Sequence, residues 1–248
     1  MQLTVLGCAG TFPGPDSPCS SYLIEYDGFR LVVDMGAGSL GQLQKHIDLL
    51  DVDAVYISHL HADHCIDLVA YSYARRYHPG GLPPRLPVYG PEGTAGRICG
   101  AFENPPIHGL LDVFDFREVA VGAVQIGPLS VTSTRSNHPI ECHALRIEAG
   151  GRSMAYSADT GSCDGLVALA RDVDLFLCEA SWQDSADNPS GVHLSGREAG
   201  EHAARAGAKR LLLTHLVAWS DGAAIEAEAR AAYGGDLARA ACGTTYDI

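Results

Sequence analysis

Ala54-Val55-Tyr56-Ile57-Ser58-His59-Leu60-His61-Ala62-Asp63-His64 is the stretch on which the rest of the chain turns. Its first four residues are an apolar run that predicts a buried strand. Three histidines and a carboxylate then fall within six positions, His59 to His64. Side chains alternate along a strand, so His59 and His61 share a direction as the strand ends. Asp63 and His64 fall at the turn into the next helix, where a carboxylate suits the helix dipole. Two ligand groups result, His59/His61 and Asp63/His64, as a two-metal site with ions roughly 3.5–4 Å apart requires. Packing accounts for one histidine on an apolar face, not for this cluster. Charged, the imidazoles repel; neutral, they lack partners.

Working outward, 248 residues allow one α/β domain with a full core, and no linker long enough to divide residues 1–248 is present. Hydrophobic residues make up 46%, but no apolar run reaches the about 18 residues of a membrane span. Met1-Gln2-Leu3-Thr4-Val5-Leu6-Gly7 reads directly as a strand, so no signal peptide and a cytoplasmic location are expected. Eight cysteines are scattered without a Cys-x-x-Cys and read as reduced, mostly buried thiols. Cys65 reads as packing beside the motif rather than as a ligand. Thirty acidic residues against 17 Lys/Arg give a net charge of −13. A protein that grips a polyanion shows a basic surface, and the one basic cluster here is Arg75-Arg76. The balance favours a small anionic substrate over a long nucleic acid.

Strands are expected at 2–7, 21–26, 29–34 and 53–58, with Asp27-Gly28 as a hairpin turn. A helix is expected from Leu40 to Leu50 and another from the histidine motif to about Tyr77. After a Pro/Gly-rich break at 78–87 come a short strand at Val88-Tyr89 and a helix over Thr94–Phe102. A loop at 103–112 could border the cleft. Strands follow between 113 and 134, near 143–148 and near 153–158. Ser195-Gly196-Arg197-Glu198 is a capping box opening a helix that Gly207 ends. Arg210 to His215 is a buried strand, and Asp221 starts a last helix to Tyr233. Val33-Asp34-Met35-Gly36 followed by Asp51-Val52-Asp53 parallels Ala158-Asp159-Thr160-Gly161 followed by Asp172-Val173-Asp174. The pattern reads either as two similar halves or as ordinary α/β grammar.

His-x-His-x-Asp-His after a strand resembles the signature of the metallo-β-lactamase superfamily. The resemblance implies a four-layer αββα sandwich of two similar halves, with the site between the sheets at one edge. Three further residues follow strand-like runs: His138, Asp159 and His215. In the superfamily pattern, His59, His61 and His138 hold a first metal, Asp63, His64 and His215 a second, and Asp159 bridges them. Such nitrogen and oxygen donors suit zinc first, and also manganese or iron. Two ions lower the pKa of a shared water, providing a hydroxide nucleophile, and offset charge on a phosphoryl group.

Leu177-Cys178-Glu179-Ala180-Ser181 and Gly191-Val192-His193-Leu194-Ser195 resemble the Glu and His motifs of the ribonuclease Z-like branch. There, Glu179 would orient His193, and His193 would protonate the leaving oxygen; Asp63 completes the catalytic set. Ser157-Ala158-Asp159-Thr160-Gly161, Cys178-Glu179-Ala180-Ser181-Trp182 and Tyr73 to Pro79 are similar to the actinobacterial group described as atypical class II cyclic-nucleotide phosphodiesterases. The segment 79–113 is too short and too poor in Lys/Arg for the basic arm of tRNA-processing ribonuclease Z. The resemblance thus implies a homodimeric phosphodiesterase acting on 3′,5′-cyclic nucleotides, cAMP foremost, with tRNA 3′ processing as the alternative. His143 and His108 are further candidates for the cleft wall.

Overall fold

The computed structural model describes residues 1–102 and 109–248. Sixteen strands are β1 (Gln2–Gly7), β2 (Ala9–Gly10), β3 (Ser21–Tyr26), β4 (Phe29–Val33), β5 (Ala54–Tyr56), β6 (Leu86–Gly90), β7 (Phe114–Glu118), β8 (Gly122–Ile126), β9 (Leu129–Arg135), β10 (His143–Ala149), β11 (Arg152–Tyr156), β12 (Leu175–Glu179), β13 (Arg210–Thr214), β14 (Leu216–Val217), β15 (Asp236–Arg239) and β16 (Thr245–Asp247). The helices are α1 (Ser39–Leu43), α2 (Ala62–Cys65), α3 (Asp67–Arg76), α4 (Thr94–Phe102), α5 (Gly109–Val113), α6 (Asp164–Leu169), α7 (Gly196–Ala206) and α8 (Gly222–Ala232).

Two seven-stranded sheets run in the orders β16-β1-β3-β4-β5-β6-β7 and β15-β13-β12-β11-β10-β9-β8. Their alternating side chains divide the core into three apolar clusters. Along β3, Tyr22 and Ile24 face the space between the sheets, while Leu23 faces outward. Along β12, Leu175 and Leu177 face inward, and Phe176 and Cys178 outward. Helices cover both outer faces, α1, α3, α4 and α5 on one side and α6, α7 and α8 on the other. Both faces of these strands are buried, which is why they read as continuous apolar runs. The result is the αββα sandwich, α/β in class, that the resemblance implied.

The repeat has a structural counterpart. β4 pairs in parallel with β5, Leu31 opposite Ala54, and β11 pairs in parallel with β12, Met154 opposite Leu175. In the first half Asp53 Oδ2 accepts from Arg30 N at 2.8 Å, and in the second Asp174 Oδ2 accepts from Ser153 N at 2.9 Å. The two Asp-Val-Asp turns therefore lock their strands through the same bond. Each sheet also passes from an antiparallel to a parallel half, at β4 and at β11.

The structure corrects three local expectations and adds two strands. The helix over Leu40–Leu50 ends at Leu43, because Asp48 turns back to accept from Leu50 N and starts a separate 3-10 turn at Leu49–Asp51. Within the expected loop at 103–112, α5 forms because the sheet buries Leu110 and Val113; residues 103–108, with His108, lie outside the described residues. The tail adds β15 to one sheet and β16 to the other, where four and three residues are too few to show a period. His143 is fully buried, its ring between the Tyr56 hydroxyl at 3.0 Å and Glu141 at 3.0 Å, and lines no cleft. Cys65 is buried in the outer apolar cluster, as expected for packing. Among the described residues, no helix is long and apolar enough to cross a membrane.

Candidate metal centre

Parallel strands deliver the motif residues to one edge of the sandwich. Asp34 follows β4, His59 follows β5, Asp159 follows β11, Glu179 ends β12 and His215 follows β13. These are the carboxyl ends of the strands, where α/β sheets place their sites. Among the described residues, four of the six non-glycine residues with left-handed φ lie here: Thr11 at 66°, Asp34 at 59°, Ala158 at 48° and His215 at 56°. Such conformations cost about 1–3 kcal/mol each and concentrate at functional sites.

Seven sequence-predicted residues form two groups sharing Asp159. In the first, His59 Nε2 lies 3.2 Å from His61 Nδ1 and 3.5 Å from Asp159 Oδ2, and His138 Nε2 lies 3.1 Å from His61 Nδ1. In the second, His64 Nε2 lies 3.2 Å from His215 Nε2, 3.1 Å from Asp159 Oδ1 and 3.6 Å from Asp63 Oδ2. His215 Nε2 is 3.3 Å from Asp63 Oδ2 and 3.4 Å from Asp159 Oδ1. Donors on a tetrahedral ion with bonds near 2.0–2.1 Å stand roughly 3.3 Å apart, so both spacings fit a divalent ion. Asp159 Oδ1 is buried without a hydrogen-bond partner, as a coordinating oxygen would be.

The surrounding groups fix which imidazole nitrogen faces inward. His138 Nδ1 donates to the Val192 carbonyl at 2.9 Å, and His64 Nδ1 donates to Asp34 Oδ2 at 2.8 Å. The Ser58 hydroxyl donates to Asp34 and accepts from His59 Nδ1; the Ser181 hydroxyl donates to Glu179 Oε2 and accepts from His215 Nδ1. With Nδ1 donating in each, Nε2 is the nitrogen turned toward the shared centre, the usual support of metal-binding histidines. His61 presents Nδ1 instead.

Asp34 is the functional residue the sequence reading passed over. It is fully buried and accepts from the Ser58 amide at 2.7 Å, the Ser58 hydroxyl at 2.8 Å, His64 at 2.8 Å and the Tyr156 hydroxyl at 2.9 Å. The repeat carried the signal, since it set Asp34-Met35-Gly36 against Asp159-Thr160-Gly161. Asp34→Ala leaves buried donors unpaired, at about 1–3 kcal/mol each, and frees the His64 ring. A clearly lower Tm and roughly 10–100-fold weaker metal binding are expected in thermal denaturation and chelator competition. A variant matching the parent in both would remove Asp34 from this role.

Burial works against charge on His64, yet Asp159 and Asp34 hold its pKa well above the ordinary imidazole value. Burial and the His64 charge push His59 well below it. His64 is therefore held charged in the metal-free protein, its Nε2 would have to give up a proton to serve as a donor, and metal binding is expected to strengthen as pH rises.

His193 stands beside both groups. Its Nδ1 is 3.1 Å from Glu179 Oε1 and 4.0 Å from Asp159 Oδ2, and its ring is 5.3 Å from that of His215. Glu179 is fully buried and also accepts from Thr160 N at 2.6 Å. Burial opposes charge on His193, but Glu179, with Asp159 and Asp63 behind it, raises its pKa to about 9. Glu179→Gln is expected to bring it back toward the ordinary imidazole value, as read by NMR titration of the metal-free protein. An unmoved titration would show that Glu179 does not set the proton. A cavity of about 370 Å³ opens next to His193, lined by Asn137, Ser162, Asn188 and Arg197 among others. His202, by contrast, is structural: its Nε2 accepts from Cys163 N and its Nδ1 donates to the Glu198 carbonyl.

Residues 29–216 match the family described as Beta-lactamase superfamily domain. The uncharacterized protein ML1173 of Mycobacterium leprae is 45% identical over 254 residues, spanning all of this chain and 89% of that protein. The "Probable metallo-hydrolase YhfI" of Bacillus subtilis is 30% identical over 249 residues, the full length of both. Its crystal structure aligns with a TM-score of 0.88 at 28% identity over 99% of each chain. The short form of human tRNase Z aligns with a TM-score of 0.79 at 22% identity, over 100% of this chain and 99% of the other, and shares the fold. The chain belongs to the β-lactamase superfamily, as a metal-dependent hydrolase of the metallo-β-lactamase fold.

Proposed function

We propose that this hydrolase is a dinuclear phosphodiesterase that opens 3′,5′-cyclic nucleotides, cAMP foremost, to 5′-monophosphates. The observation that carries the reading is the Glu179–His193 pair beside the two ligand groups. Hydrolysis of an alkyl phosphodiester expels a poor alkoxide, which needs a proton; lactone, thioester or β-lactam hydrolysis gives no comparable reason for the pair. His59, His61 and His138 would hold one ion, Asp63, His64 and His215 the other, with Asp159 shared, zinc being first choice and manganese or iron alternatives. Bound there, divalent ions supply Lewis acidity and activate water at neutral pH.

The protein's own part is proton placement. Glu179 fixes the His193 ring through Nδ1 and keeps it charged, leaving Nε2 as the donor. Water gives up one proton to solvent as its oxygen bonds to phosphorus, the bond from phosphorus to the 3′ oxygen breaks, the His193 proton goes to that oxygen, and His193 regains a proton from solvent. Serving as both ligand and wall of the site, Asp63 is tied to the Thr11 amide at 2.9 Å.

Charge supports a small substrate. Of the basic pair, Arg75 is buried and donates to the Pro84 carbonyl, while Arg76 is paired with Asp112 at 3.0 Å. Neither is free to track a polyanion. The likeness to human tRNase Z favours the second reading, tRNA 3′ processing. On either reading, the whole chain acts as one catalytic unit, cytoplasmic and homodimeric.

The deciding experiment offers 3′,5′-cAMP, 2′,3′-cAMP and a precursor tRNA to the zinc- or manganese-loaded protein at physiological salt, with products separated by chromatography. Conversion of 3′,5′-cAMP to 5′-AMP is expected. Cleavage of the tRNA alone would establish the second reading.

A further inference from the structure

Trp219 is 80% exposed, the largest exposure among the large apolar side chains described. It is not a stray surface residue. Its ring meets that of Phe12 with centroids 4.6 Å apart and planes at 44°. Both residues sit on loops fastened to each other and to the metal centre. β2 pairs with β14, Ala9 opposite Leu216 and Gly10 opposite Val217. Gly10 lies so close to His215 that a Cβ there would stand 2.5 Å from the His215 carbonyl oxygen and 2.9 Å from Nδ1. Thr11 holds a left-handed φ of 66°, costly for a β-branched residue, and its amide donates to Asp63 Oδ2 at 2.9 Å. Phe12 follows directly. Across the gap, the Ser220 hydroxyl donates to the Ser181 carbonyl at 3.4 Å, and Ser181 holds His215. The aromatic pair is thus braced against Asp63 and His215, two donors of the second ligand group.

An aromatic pair braced against two donors of that ligand group, with one indole open to water, is a surface for a flat ligand. Every nucleobase has a π face, and base–aromatic stacking is strong and tolerant of base identity. The cavity beside His193 is lined mainly by polar side chains. The other indole, Trp182, stands edge-on to His193 with ring centroids 5.1 Å apart. We propose that Phe12 and Trp219 form a stacking platform that takes the base of a nucleotide whose phosphate lies at the metal centre. The proposal rests on the phosphodiesterase reading and names the feature that selects nucleotides within it.

The chain has two tryptophans, so in a Trp182→Phe background emission reports on Trp219 alone. In the metal-loaded protein, 5′-AMP is expected to quench that emission saturably, whereas ribose 5-phosphate, with the same phosphate and no base, is not. In the parent sequence, Trp219→Ala is expected to raise KM for cAMP about 5- to 100-fold with kcat within about twofold. Trp219→Phe should restore most of the affinity, and Phe12→Ala should show a smaller rise. Equal response to 5′-AMP and ribose 5-phosphate, with an unchanged KM in Trp219→Ala, would overturn the platform while leaving cAMP turnover intact. Quenching by 5′-AMP without cAMP turnover would keep the platform and overturn the substrate assignment instead.

Discussion

Asp159→Ala is expected to lower kcat for cAMP by more than about 10³-fold and to leave the purified protein short of its metal. Removing an outer partner of a metal ligand already costs roughly 10–100-fold, and Asp159 serves both ligand groups at once. Its carboxylate faces the imidazoles of His59, His64 and His215, with Oδ1 3.1 Å from His64 Nε2. The structural bonds at this position run to its main chain, whose carbonyl accepts from the Ser136 hydroxyl at 2.7 Å and the Cys142 thiol at 3.4 Å. Alanine keeps both. Circular dichroism should therefore report a folded protein while elemental analysis reports the metal loss. Turnover and metal content equal to the parent would remove Asp159 from the centre.

His193→Ala is expected to reduce cAMP turnover by roughly 10²–10⁴-fold, the usual contribution of a positioned acid. The loss depends on the leaving group. Bis(4-nitrophenyl) phosphate releases a phenolate stable without a proton, so its hydrolysis should fall far less. Because the acid acts in its protonated form, the rate of the parent should decline as pH rises through the His193 pKa. The protein's own charges place that value at about 9, and divalent ions bound nearby draw it lower. The alkaline decline should be absent in His193→Ala. Equal losses on both substrates with an unchanged pH profile would assign His193 a positioning role.

The sheets' central strands were legible because each is buried on both faces, so that Val32, Leu177 and Leu212 leave no polar alternation to misread. The capping box at Ser195 and Glu198 and the glycine stop at Gly207 stand where expected, since both are local devices. Elements that depend on distant partners were less so. α5 exists because a sheet folded elsewhere buries Leu110 and Val113. β15 and β16 are short edge strands, ordered by pairing with β13 and β1 rather than by their own pattern.

The candidate centre divides in the same way. Donor identity and order along the chain are chemical facts of sequence: three histidines and an aspartate at one strand end, then His138, Asp159 and His215 at others. Which donor faces which, and with which nitrogen, is decided by contacts between residues far apart in the chain. Asp34 meets Tyr156 and Gly10 meets His215 from one half of the sandwich to the other, and His138 meets Val192, 54 residues on, within the second half. Periodicity reports only a residue's own strand or helix. Asp34 looked like a turn residue, and Trp219 an unremarked loop aromatic, until the sheets brought β4 beside β11 and β2 beside β14. The sequence, through the resemblance its motifs carry, pointed to the sandwich and named the candidate donors. The tertiary structure decided that Asp159 is shared by the two candidate groups, that Glu179 meets His193 and that Phe12 meets Trp219, because each depends on distances between segments that only folding brings together.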